Sequence, residues 1–144
     1  MPISSAVADR LTRYFPKVIS PKSHAVLDLF TMTAFFVSSG LFWNRNRRAA
    51  LGALACGGAQ LMTGLLTDFS GNGSNPISLP IHGKIDLGLA AVSAAMPELM
   101  LLKERPQRTF FVSQSAIITS VANLTDFQRT TGKRLKSRPR RAAA

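Results

Sequence analysis

From residue 49 to residue 67 the chain runs for 19 residues without a charge, and the run closes on Thr67-Asp68-Phe69. No other feature restricts the fold so tightly. A helix that crosses about 30 Å of hydrocarbon needs about 20 mostly apolar residues, whereas a helix on the surface of a soluble protein shows a charged face. The stretch "ALGALACGGAQLMTGLLT" has no such face. Three further segments share its character. Residues 109–125 are uncharged, residues 25–43 contain only Asp28, and residues 85–102 contain only Asp86 and Glu98. Four membrane-spanning helices are therefore expected, within a length of 144 residues that suits one domain. Residues 1–22 have no apolar core, so no signal peptide is expected. The lone Cys56, set among glycines, is expected to pack and not to bridge.

Two motifs recur. "SHAVLDL", beginning at Ser23, is echoed by "IHGKIDL", beginning at Ile81; "LLTDF", beginning at Leu65, is echoed by "NLTDF", beginning at Asn123. His24 to His82, Asp28 to Asp86 and Asp68 to Asp126 are each 58 residues apart. Two separate motifs sharing one offset predict a tandem duplication. Each unit opens with H-x-x-x-D on one helix and closes with L-T-D-F on the next. The expected fold is therefore all-α, a four-helix transmembrane bundle built from two tandem hairpins. Residues 22–79 form the first hairpin and 80–128 the second, between a basic N-terminal segment (1–21) and a basic, disordered tail (129–144). "NRNRR" (from Asn44) and "KERPQR" (from Lys103) read as turns within the hairpins, and "SGNGSNPISLP" (from Ser70) as the linker between them. An even number of spans per unit gives both units one orientation, with the pseudo-two-fold axis along the membrane normal.

That topology returns the second helix of each hairpin to the face where the first began. His24, Asp28, Thr67, Asp68, His82, Asp86, Thr125 and Asp126 then share one shallow layer, which takes both histidines and four of the seven acids. His24 and Asp28, like His82 and Asp86, are four residues apart and share a helix face. An aspartate at a helix C-terminus opposes the dipole, so Asp68 and Asp126 are expected to seek donors, with the imidazoles, the threonines and Lys84 nearest. Three uses of the layer stay open. The leading one is a structural polar clamp locking the two hairpins. A small-ligand site at the pseudo-symmetry axis comes second. A metal or haem held by His24 and His82, with redox or transport chemistry, comes third, because no C-x-x-C or H-E-x-x-H spacing is present. No cofactor is expected under the leading reading. A catalytic role has the least support, a His near an Asp being only the minimum of a general base.

Gly52, Gly57, Gly58 and Gly64 predict a smooth packing face on the second helix. Gln60, Gln114 and Asn123 are expected to bond between helices, Pro97 to kink the third helix, and Trp43 to anchor at an interface. Counting Lys and Arg, the face of the termini and central linker carries 12 (4 before the first span, 7 after the last, and Lys84) against 6 in the hairpin turns. The positive-inside rule then places the termini, and the His/Asp layer, on the cytoplasmic side of a plasma membrane. The tail "KRLKSRPRRAAA" lacks interleaved aromatics or a reader module, so its expected partner is anionic lipid and not nucleic acid. Partner membrane subunits or a homo-oligomer are compatible with so small a bundle.

A tandem of two-span units, each opening with H-x-x-x-D-L, resembles the SPW-repeat family of small bacterial membrane proteins, over about residues 20–128. The Ser-Pro-Trp triplet of that family is not retained; "SSGLFW" and "AAMPEL" stand nearest to it. The resemblance implies a duplicated membrane hairpin in the bacterial inner membrane and no established enzymatic activity.

Overall fold

The computed structural model describes residues 15–128. The basic tail and the start of the N-terminal segment, including Tyr14, lie outside the described residues. Four helices follow one another: α1 (Pro21–Phe42), α2 (Arg47–Leu66), α3 (Leu79–Leu99) and α4 (Arg105–Leu124). Between α2 and α3 two short strands, β1 (Thr67–Asp68) and β2 (Ile77–Ser78), pair in parallel. Apart from these strands, one isolated bridge and the connecting turns, the described residues are helical.

Local chemistry sets the boundaries. The Ser20 hydroxyl accepts from the Ser23 N–H at 3.2 Å, with Pro21 at the first helical position of α1. Asn46 Oδ1 accepts from the Ala49 N–H at 3.1 Å and opens α2. Ser78 and Glu104 stand at the N-caps of α3 and α4, each with a proline in the first turn. "KERPQR" is therefore only partly a turn, since α4 begins at Arg105. Pro97 falls in the closing turn of α3, two residues before its end, where its missing N–H leaves the Ser93 carbonyl without its helical donor. Leu101 then takes a left-handed φ of 52°, and Arg108 holds the turn by donating to Leu102 O at 2.9 Å and to Glu98 at 2.6 Å.

The helices pack as two hairpins, α1 on α2 and α3 on α4, joined along the seams α2–α3 and α1–α4. Small residues let the backbones approach. A Cβ built on Gly57 would lie 3.0 Å from Phe35 Cβ, and one on Gly52 would lie 3.1 Å from the Met96 side chain. Gly58 and Gly64 have nothing within 4 Å, so the smooth face is narrower than expected. The apolar core gathers Phe35, Phe111, Met96, Leu89 and Ile118 around Ala49, Ala53 and the buried Cys56. Phe35 lies 11 residues beyond His24, about 16 Å along the helix, which separates this core from the polar layer at the other end.

Among the described residues two helices, α1 and α2, are long and apolar enough to cross a membrane, where the uncharged runs had suggested four. The difference comes from the first turns of α3, which carry His82, Lys84 and Asp86, and from α4, which is amphipathic and opens with Arg105 and Arg108.

Candidate functional site

The histidines lie in the first turn or two of α1 and α3, and the threonines just beyond the ends of α2 and α4. All four of these side chains are buried, His24, His82 and Thr125 completely. His82 Nδ1 meets Thr67 Oγ1 at 2.7 Å and His24 Nδ1 meets Thr125 Oγ1 at 2.8 Å. Each threonine hydroxyl donates at 2.6 Å to a carbonyl one turn back, Thr63 O or Val121 O. With its hydrogen used there, the hydroxyl can only accept from the imidazole. The network thus fixes both rings as Nδ1–H donors and turns both Nε2 atoms toward the carboxylates.

Those carboxylates are Asp28 and Asp86. His24 Nε2 is 3.0 Å from Asp86 Oδ2 and 3.3 Å from Asp28 Oδ2; His82 Nε2 is 2.8 Å from Asp28 Oδ2 and 3.2 Å from Asp86 Oδ2. The four atoms form an alternating N–O–N–O ring in which the shorter contacts run between the hairpins. Two imidazole nitrogens facing two carboxylate oxygens at this range need a proton shared across each short contact, or a bound cation between them. The rings of His24 and His82 meet edge to face at 5.1 Å, and Phe127 and Phe69 cover His24 and His82, each at 5.3 Å.

Six of the eight expected residues therefore converge: His24, Asp28, Thr67, His82, Asp86 and Thr125. Asp68 and Asp126 do not, and the expected pairing of these two with histidine is corrected. Successive residues of an extended segment point to opposite sides. Where Thr67 faces His82, the next side chain, Asp68, faces into the linker. There Asp68 accepts from the N–H of Ser70, Gly71 and Gly73 at 3.1, 2.8 and 2.6 Å and from the Ser70 hydroxyl at 2.9 Å. Burial opposes its ionisation, but the donors from Gly73, Ser70, Gly71 and Asn72 outweigh it and hold the carboxyl below its usual range. Asp126 accepts from the Gln128 N–H at 3.2 Å. Lys84 is exposed and does not enter the layer.

A further correspondence lay unread in the sequence. Ile19 forms a parallel bridge with Thr125, as Ile77 does with Thr67. Ile19-Ser20 and Ile77-Ser78 stand at the same offset of 58 as the motifs, with both serines at helix N-caps. The end of each hairpin thus pairs with the segment leading into the other. Of the expected interhelical amides, Gln60 bonds Thr31 at 2.6 Å, whereas Asn123 turns back to Thr119 O in its own helix at 2.9 Å and Gln114 is buried with Oε1 unpartnered.

Around Asp28 the site has an opening. A cavity of about 240 Å³ between α1 and α2 is lined by Asp28, Gln60, Leu61 and Phe69. Asp28 has 14% of its side chain exposed, against 2% for Asp86 and none for either histidine. Phe127 packs closely against Gly83, where a Cβ would lie 2.5 Å from its Cζ. The residue matching Gly83 in the first hairpin is Ala25, which lines the cavity together with Phe69.

No protein-family model matches the chain, and neither a curated protein nor a solved structure matches it.

Proposed function

We propose that the chain is a non-enzymatic integral membrane module, a tandem duplication of one helical hairpin in which the His/Asp/Thr layer clasps the two copies together. The observation that carries this reading is an inverted distribution of polarity. Only 17% of the α1 span is buried although it is the most apolar helix, and Phe30 and Leu41 are each 69% exposed. A soluble protein of this size does not leave such a helix face open. The interior meanwhile holds His24, Thr31, Gln60, His82, Asp86, Ser93 and Gln114. Polar groups facing inward and Leu, Ile, Val and Phe facing outward suit a bundle solvated by lipid. α3 and α4, at 21 and 20 residues, match the lengths of α1 and α2. On α3, His82 and Asp86 point inward and Lys84 outward, while Ile81, Ile85 and Val92 of α3 and Val112 and Ile117 of α4 point out.

Under this proposal all four helices cross the bilayer, the layer faces the cytoplasm with the termini, and the basic ends attract anionic lipid. The SPW-repeat resemblance belongs to the same proposal and rests on the two H-x-x-x-D-L motifs. An accessory role beside other membrane subunits is supported by the exposed apolar faces. The test is fractionation followed by topology. The protein should stay in membranes through an alkaline carbonate wash, and single cysteines at Asn44 and Ser74, placed in a Cys56→Ser background, should be labelled from opposite sides. Release by carbonate, or labelling of both from one side, would overturn it.

A further inference from the structure

We propose that the ring of His24, Asp28, His82 and Asp86 is a binding site for one divalent transition-metal ion of the zinc class; the inference rests on reading this ring as the clasp between the hairpins. Four side chains from two helices each offer one ligand atom, all within 4.8 Å of one another. The edges of the ring measure 2.8 to 3.3 Å. A ring with such edges and ligand atoms no more than 4.8 Å apart places its centre about 2 to 2.4 Å from the four atoms, close to the range of Zn–N and Zn–O bonds. Two imidazoles and two carboxylates are a borderline donor set suited to zinc.

The surroundings match those of a metal centre in three respects. Each imidazole is oriented through its other nitrogen, Nδ1–H to threonine to backbone carbonyl, the arrangement that fixes ligand histidines and leaves Nε2 as the donor atom. Two carboxylates and two neutral imidazoles balance a dication, so the loaded centre carries no net charge, as a site within lipid requires. The cavity beside Asp28 gives an entry that the sealed Gly83–Phe127 side does not. If the resting ring holds a proton on each Nε2, one incoming dication displaces two protons and the charge of the centre is unchanged.

The experiment uses the full chain in mild detergent, stripped with a chelator and titrated with Co²⁺ as a visible probe. One equivalent should bind with the intense absorption of a four-coordinate ion and be displaced by Zn²⁺. His24→Gln and His82→Gln should abolish the signal. Thr125→Val, which removes only the orienting hydroxyl, should weaken binding about 10- to 100-fold while helicity is kept. If the folded wild-type chain takes up neither Co²⁺ nor Zn²⁺, the metal proposal is overturned. The clasp survives that result if Asp86→Asn still lowers stability, and falls with it if Asp86→Asn does not. Binding that persists in both histidine variants would place the ion elsewhere on the chain and also overturn the proposal. Should the histidine variants fail to fold, the wild-type titration and Thr125→Val decide.

Discussion

Two aspartates per hairpin do different work, and the distinction lies in where each side chain points. Asp86 is 2% exposed and has two imidazole partners within 3.2 Å. Removing one partner of a buried charged set leaves the rest uncompensated, at a cost of about 3–5 kcal/mol. Asp86→Asn should lower unfolding stability in detergent by that order. Asp68 binds only its own linker, so Asp68→Asn should loosen residues 70–75 and leave the hairpin junction intact, as amide exchange would show. Its folded pKa lies below the ordinary 3.8. The sign follows from linkage: the stabilisation is present above 3.8 and is lost as pH falls through the lower folded value. Exchange at Gly71 and Gly73 should therefore accelerate only below about pH 4. Sequence alone brought Asp68 into the layer because it sees depth along a helix but not the alternation of an extended residue. It likewise placed each histidine on one face with the aspartate of its own helix, since i and i+4 are local, whereas the shorter contacts, to Asp86 and Asp28, cross between hairpins.

At the level of helices, most of the architecture was legible. The uncharged runs and the recurring motifs placed four helices, their order and the turn between α1 and α2, because apolar runs and turn residues act locally. Two features were not legible in this way. α3 and α4 carry inward-facing polar residues, and a count of composition cannot separate these from outward ones. Glycines were read as one smooth face, although packing distinguishes them. A Cβ on Gly57 would meet Phe35 at 3.0 Å, whereas one on Gly58 meets nothing within 4 Å. Gly57→Ala should thus destabilise the α1–α2 contact by about 1–3 kcal/mol. Gly58→Ala should be neutral or slightly stabilising, by up to about 1 kcal/mol through helix propensity. Thermal midpoints of the two variants in one detergent provide the comparison.

The whole molecule closes on itself. The bridge of Ile19 with Thr125 repeats the pairing of Ile77 with Thr67, so the described chain begins beside the place where it ends. A circular permutant that joins residue 128 to residue 15 through a short flexible linker and opens at Gly73 should keep its helicity and melt within a few degrees of the parent. Loss of folding would mean that the linker between β1 and β2 is more than a connection. The central claim is that the hairpins are held together by His24 with Asp86 and His82 with Asp28. The most direct measurement is a double-mutant cycle on His24→Gln and Asp86→Asn, with His24→Gln and Asp126→Asn as the control cycle, read by reversible unfolding of the full chain in detergent. A coupling above about 1 kcal/mol for the first cycle and none for the second is the predicted result. Coupling to Asp126 and not to Asp86 would contradict it.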